Sequence, residues 1–248
     1  MSRALSIIIP AYNEAAGIGH SLTEVLRFAE AHPGGAEVIV VDDGSTDRTV
    51  GVVEGFLPGA GDRLRLLRHP CNRGKGAAVH SGFAAAGGEI VLFTDADLSA
   101  PITEAPRLID LIASGTCDVA IGSRAIDPSL IKVNQTWVRQ TMGRTFNRLV
   151  RVWTGLTIRD TQCGFKAFRR EAMAPIFAAQ RLRGFAFDVE LLYLAARRGL
   201  RIAEVPVTWN HVADSRVSLL ADSAAMFMEL IRIRINDWRG LYAEAARP

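Results

Sequence analysis

Cysteine is scarce in this chain. Three of 248 residues, Cys71, Cys117 and Cys163, are odd in number and far apart. That excludes a disulfide-stapled scaffold and matches no zinc-ligand spacing, so a reducing, cytosolic compartment is expected. Long apolar runs are also missing. No stretch is long enough to span a bilayer, and the opening MSRALSIIIP is too short, and too soon interrupted by Pro10, for a signal peptide. A protein that is soluble, or bound to a membrane surface, is expected. Large net charge is absent too: the balance is only +3. That is not the balance of a chromatin-type binder, and no nucleic-acid partner is expected. Internal repeats and low-complexity linkers do not occur. Neither common nucleotide-loop motif is present: there is no G-x-x-x-x-G-K-[ST], and no G-x-G-x-x-G after the first strand.

What is there is apolar and alternating. At 49% hydrophobic residues the chain can bury a sizeable core. Short Val/Ile/Leu runs at Leu5–Ile9, Glu37–Val41, Leu64–Leu67, Ile90–Phe93, Val119–Ile121 and Ile202–Val207 read as buried strands. Helical periods fill Gly19–Ala31, Asp47–Leu57, Lys75–Ala86 and Pro101–Ala113. This alternation predicts an α/β fold with a mostly parallel sheet covered on both faces. The second half reads differently. Thr136–Trp153 is a basic amphipathic helix, DTQCGFKAFRR a loop leading into a strand, and FDVELLYLAARRG a helix ended by Gly199. Leu219–Tyr242 places Leu220, Phe227, Ile231, Ile235, Trp238 and Tyr242 on roughly one face, flanked by arginines. Such a helix suits a membrane interface, or packs on its own domain. The boundaries expected are a main domain over 1–216 and an amphipathic C-terminal helix over 217–248. Charge is uneven: from Ser123 to Arg183 twelve basic residues face three acids, Asp127, Asp160 and Glu171. A block of this kind points to an anionic partner.

In parallel sheets ligands bind beyond the carboxyl ends of the strands, so the segments just after each strand matter most. Pro10, Ala11, Tyr12, Asn13 and Glu14 follow the first strand, with a flat ring beside a fixed turn. Asp42 and Asp43 follow the second. One of them is free to bind a base N–H or a ribose hydroxyl, while Thr46 or Asp47 caps the next helix. Asn72, Arg73, Gly74, Lys75 and Gly76 follow the third and look like an anion-binding loop. Asp95 and Asp97 follow the fourth. Two carboxylates so close repel unless a cation sits between them, and a divalent ion with oxygen ligands supplies it. Gly122, Ser123 and Arg124 follow the fifth. Together these are the parts for a nucleoside diphosphate and its metal.

At this point the chain resembles the inverting glycosyltransferases of family 2, which have the nucleotide-sugar-binding GT-A fold. IIIPAYNE, VDDGSTDRT, NRGKGAAV and DADLSAP stand in that family's order. IGSR, VRQTMGRTFNRLVR, DTQCGFKAFRR, GFAFDVELLYLA and EVPVTWNHVADSRVS resemble the dolichyl- or polyprenyl-phosphate sugar synthases, most of all the β-glucosyl branch and next the mannosyl branch. The resemblance covers nearly the whole chain. It implies that Pro10, Ala11, Tyr12 and Glu14 contact the nucleoside, with Val41, Asp42 and Asp43 about the base or ribose. It places Lys75 near the nucleotide and Ala96 against it. It assigns Mg²⁺ or Mn²⁺ to Asp95 and Asp97, phosphate oxygens to Arg124 and Arg216, and the acceptor lipid phosphate to Arg139, Gly143 and Arg144. Asp160 would face the sugar, and Asp97, Asp160, Arg124 and Arg139 would form the catalytic set. A further basic residue of the mannosyl branch falls here on Asn210 or His211. The glucosyl branch carries an N-terminal membrane helix that this sequence does not show.

The implied reaction moves glucose or mannose from UDP-glucose or GDP-mannose to a polyprenyl or dolichyl phosphate at a membrane surface, on its cytoplasmic face. A lipid phosphate is already an anionic nucleophile, so it needs cationic positioning rather than a strong base. A hydroxyl acceptor is the alternative, for which Asp188 or Glu190 would serve as base; no Q-x-x-R-W signature accompanies it. A sugar nucleotidyltransferase would carry a glycine-rich loop where PAYNE stands, and the intact acid pair argues against a non-catalytic subunit.

Overall fold

A computed structural model describes residues 4–131, 137–210 and 221–243; at Pro128 and Phe146 and over 137–144 and 221–225 it describes the backbone only. The elements are β1 (Leu5–Ala11), α1 (Ile18–Ala31), β2 (Ala36–Asp42), α2 (Thr49–Ala60), β3 (Leu64–Arg68), α3 (Lys75–Ala85), β4 (Ile90–Thr94), α4 (Ala105–Ala113), β5 (Val119–Ser123), α5 (Trp137–Thr154), β6 (Phe165–Arg169), α6 (Arg170–Ala179), α7 (Phe187–Arg197), β7 (Ile202–Pro206) and α8 (Ala221–Trp238).

The strands form one sheet in the order β3-β2-β1-β4-β6-β5-β7. All neighbours are parallel except β6, which runs antiparallel to both β4 and β5. Successive residues of each strand face opposite layers. Leu5, Ile7 and Ile9 join the core under α1, α2 and α4, whereas Ile8, Ile39 and Val41 join the core under α3, α6 and α7. Both faces are covered, which is why the strands read as unbroken apolar runs.

Two features of this topology build the site. From β1 the chain winds outward through β2 to β3, then returns to lay β4 on the other side of β1. The reversal opens a crevice at the carboxyl ends of β1, β2 and β4. An antiparallel strand starts where its parallel neighbours finish. Phe165 of β6 pairs with Thr94 at the end of β4, so the loop before β6 comes to the same rim as Asp95.

Some elements differ from the sequence reading. The helix expected from Pro101 begins as a 3-10 turn over Ile102–Glu104 and becomes α-helical at Ala105. Helix α6 went unforeseen because it starts directly at Arg170, with no loop after β6. Helix α8 packs on the domain through Leu230 and Ile233, which join the core with residues of α7. Tyr242, expected beside Phe227 and Trp238 on one face, is buried, and its hydroxyl donates to Glu190 Oε1 at 2.5 Å.

Candidate active site

The loops after β1 and β2 are stitched together. Asn13 takes a left-handed backbone (φ 56°), and its Oδ1 accepts the backbone N–H groups of Thr46 and Asp47. Ser45 Oγ accepts the N–H of Asn13 at 2.8 Å, and Thr49 Oγ1 that of Glu14 at 2.7 Å. Asp47 Oδ1 accepts the N–H of Thr49 at 2.9 Å at the start of α2. Asn13 is thus a brace between loops. Tyr12 stays exposed at the rim.

Beside this brace lies a cavity of about 440 Å³ lined by Asp42, Gly44, Ser45, Thr46, Arg68, His69 and Pro70. Asp42 lines it from a buried position. Its Oδ2 accepts the N–H of Ser45, and its Oδ1 has no hydrogen-bond partner among the described residues. A buried carboxylate oxygen without a donor is costly unless a ligand supplies one. A base or ribose N–H or O–H has the right chemistry. Val41, by contrast, commits its side chain to the core under α3.

The lysine loop resolves differently from the expected anion loop. Its N–H groups do hold a carboxylate, but an internal one. Asp43 accepts Gly74 N–H at 2.8 Å and Arg73 N–H at 3.0 Å, and pairs with His69 Nδ1 at 2.6 Å. His69 Nε2 meets Ser81 Oγ at 2.9 Å. Gly74 has φ 99°, and a Cβ there would strike the Arg183 carbonyl, so this turn needs glycine. The turn delivers Lys75, whose Nζ lies 2.6 Å from Asp95 Oδ1. Burial alone would lower the lysine's pKa; the adjacent Asp95, helped by Asp188 and Asp97, outweighs it and holds the ammonium charged.

The acid pair sits at the end of β4. Asp97 is exposed, and its carboxylate accepts the N–H and the hydroxyl of Ser99, both at 2.9 Å. Asp95 lies against the backbone of Gly164, where a Cβ would overlap its carboxyl group. Close by, two ion pairs, one part-buried and one buried, flank the segment that carries Gly164. Arg124 grips Asp160 with Nε at 2.7 Å and a terminal nitrogen at 2.8 Å, and stacks 4.7 Å from the Trp209 ring. Lys166 Nζ lies 2.7 Å from Asp188 Oδ1. Asp160 is held below the usual carboxylate range: burial would raise it, but Arg124 overcomes that. Asp188 is pushed up by burial, against the pull of Lys166 and Lys75.

The structure therefore brings together Tyr12, Asp42, Lys75, Asp95, Asp97, Arg124 and Asp160 around the strand ends. Pro10, Ala11 and Ala96 are backbone of that rim, Ala96 O accepting Ser21 Oγ at 2.6 Å. Asp43 stands behind the rim, and Arg124 is engaged by Asp160. Arg139, Gly143 and Arg144 lie on α5, where the backbone alone is described; Arg216 and His211 lie outside the described residues. Three participants were missed: His69, Lys166 and Trp209. Lys166 had a signal, being a lysine in the apolar strand FKAF, where a covered sheet leaves no solvent for it. His69 and Trp209 had none beyond their positions after β3 and β7.

The cysteines give an independent check on burial. Cys71 is exposed, whereas Cys117 and Cys163 are buried and free. Burial raises the Cys117 thiol and pushes Cys163 up to about 12. Titration with Ellman's reagent at pH 8 is expected to detect one thiol rapidly in the native protein, and all three in denaturant.

The architecture is that of the GT-A fold. Among solved structures, glucosyl-3-phosphoglycerate synthase of Mycobacterium tuberculosis superposes with a TM-score of 0.68 at 23% identity, covering 93% of this chain and 80% of that one. The same enzyme in complex with Mn²⁺, uridine-diphosphate-glucose and phosphoglyceric acid gives 0.66 at 22% identity, covering 99% and 81%. The profile described as glycosyl transferase family 2 matches residues 6–177. A dolichyl-phosphate beta-glucosyltransferase of Saccharomyces cerevisiae is 35% identical over 257 residues, covering 97% of this chain and 77% of the yeast protein. A Drosophila melanogaster protein of the same name is 37% identical over 253 residues, covering 96% and 78%. The chain belongs to glycosyl transferase family 2 and is a glycosyltransferase.

Proposed function

We propose that this protein transfers glucose, with inversion, from UDP-glucose to a dolichyl or other polyprenyl phosphate. The observation that carries the reading is the occupancy of the buried acids. Asp160 is held by Arg124 and Asp188 by Lys166, while Glu190 accepts the N–H groups of Arg181 and Leu182 and the Tyr242 hydroxyl. A hydroxyl acceptor needs a free carboxylate base, and these three are engaged. A phosphate acceptor needs none, and basic α5 supplies cationic positioning. The names of the relatives point to the same acceptor and sugar; GDP-mannose is the competing donor.

Asp95 and Asp97 fit a hard divalent cation, Mg²⁺ or Mn²⁺: they offer carboxylate oxygens, one of them exposed at an open rim. Among the described residues no cluster of three His, Cys, Asp or Glu could hold the ion alone, so Asp95 and Asp97 would hold it together with groups from outside the chain. Bound there, such an ion would supply stabilisation of the charge on the departing nucleotide. Lys75 adds positive charge at the same point, the Asp42 cavity takes the nucleoside, and Arg139, Gly143, Arg144 and Arg216 are assigned to phosphate contacts.

No helix among the described residues is long and apolar enough to cross a membrane; the proposed encounter with the lipid acceptor is at a membrane surface, on its cytoplasmic face. Helix α8 exposes Phe227, Met228 and Trp238, the last at 75%, while α5, in contact with it, exposes Val152 and Trp153. Replacing Phe227, Met228 and Trp238 with serine spares Leu230 and Ile233. The triple variant is expected to keep its melting temperature within a few degrees and to lose flotation with anionic liposomes; unchanged flotation removes the membrane role. The reaction itself is tested by UDP release from UDP-glucose. Release is expected to rise at least tenfold on adding polyprenyl phosphate, and release indifferent to the lipid contradicts the acceptor assignment.

A further inference from the structure

We infer that Lys166 and Asp188 form a buried clamp that positions the metal-binding carboxylate Asp95, through the segment Cys163–Gly164. The inference rests on the reading of Asp95 and Asp97 as the cation site. Lys166 is 1% exposed and Asp188 4%. Removing two charges from water is costly, and a well-packed apolar pair of similar size commonly serves stability as well or better. The pair therefore needs an explanation other than stability, and its contacts supply one.

Lys166 faces Phe93 across the β4–β6 ladder. Its ammonium donates to the Cys163 carbonyl at 2.5 Å and lies 2.7 Å from Asp188 Oδ1. Asp188 stands in the first turn of α7, where the helix dipole favours an anion. The carbonyl so gripped immediately precedes Gly164, whose backbone is the surface against which Asp95 lies. At its other end the same segment is tied down by Asp160, held in the two-pronged grip of Arg124. The loop before β6 is thus pinned by an ion pair at each end, and Asp95 rests on its last residue. Lys75 pairs with the same carboxylate, its Nζ 2.6 Å from Asp95 Oδ1. A carboxylate fixed between a glycine surface and a lysine meets an incoming cation without having to be ordered first, which is the condition for tight, well-oriented coordination. Lys166 and Asp188 act through the Cys163–Gly164 segment, as positioning residues.

The test separates positioning from packing by removing both charges together. In K166M/D188L the local net charge is unchanged, and what disappears is the hold on Cys163. The variant is expected to melt at or above the wild-type temperature and to bind Mn²⁺ in the presence of UDP at least tenfold more weakly, read by electron paramagnetic resonance of free Mn²⁺. K166Q/D188N keeps one donor for the Cys163 carbonyl and is expected to fall between the two, at least threefold weaker than wild type; it carries the test alone if the first variant does not fold. Wild-type Mn²⁺ affinity in a folded variant overturns the inference while leaving the cation site standing. Failure of the wild-type protein itself to bind Mn²⁺ with UDP overturns both.

Discussion

Asp97→Asn is expected to reduce transfer about a thousandfold while leaving the fold intact. Loss of a metal's stabilisation of the leaving diphosphate is worth several kcal/mol, and each 1.4 kcal/mol is about tenfold in rate. The structural cost is small because Asp97 is exposed and its partners are the N–H and hydroxyl of Ser99. An asparagine oxygen still accepts one of them, so stability changes by about 1 kcal/mol. Circular dichroism and thermal melting are the controls. Normal turnover by a normally folded Asp97→Asn protein removes the metal role from this acid.

Gly164→Ala is expected to cost about a hundredfold in transfer, the scale at which ångström-level misplacement acts. The added methyl group overlaps the Asp95 carboxyl group. The conflict is local, since this glycine is not among those with positive φ and alanine is tolerated by the backbone itself. The side chain that must move is Asp95, which then leaves its place beside Lys75. The donor KM and the Mn²⁺ requirement are expected to rise, with melting changed by only a few degrees. A variant with wild-type kinetics contradicts the seating of Asp95 on Gly164.

The sequence and the structure agree most where physics is local. Strand ends were legible because buried parallel strands are apolar runs that stop where polar rim residues begin, as at Asp42 and Asp95. Helices with a clear period, such as α1 and α7, were legible for the same reason. Elements set by long-range pairing were not. The segment leading into β6 showed itself, but not that it would insert antiparallel between β4 and β5 and carry Gly164 to Asp95. The division of work between adjacent acids was hidden too. Asp42 and Asp43 look equivalent in VDDGST, yet one lines a cavity and the other holds the lysine loop. Adjacent residues at a strand end point to opposite faces, and the chain that meets each face comes from elsewhere in sequence. The exposed surface of α8 was half legible: its periodicity marked an apolar stripe but not that Tyr242 turns inward to Glu190.

The account stands on one transfer, and radiolabelled donor measures it directly. Purified protein is incubated with Mg²⁺ or Mn²⁺, dolichyl phosphate in liposomes, and either UDP-[¹⁴C]glucose or GDP-[¹⁴C]mannose, and label is counted in the organic extract. The expected result is label from UDP-glucose in a lipid that releases glucose on mild acid, dependent on the metal and lost in Asp97→Asn. Label that stays in the aqueous phase on a soluble hydroxyl acceptor, or that enters the lipid from GDP-mannose and not from UDP-glucose, contradicts it.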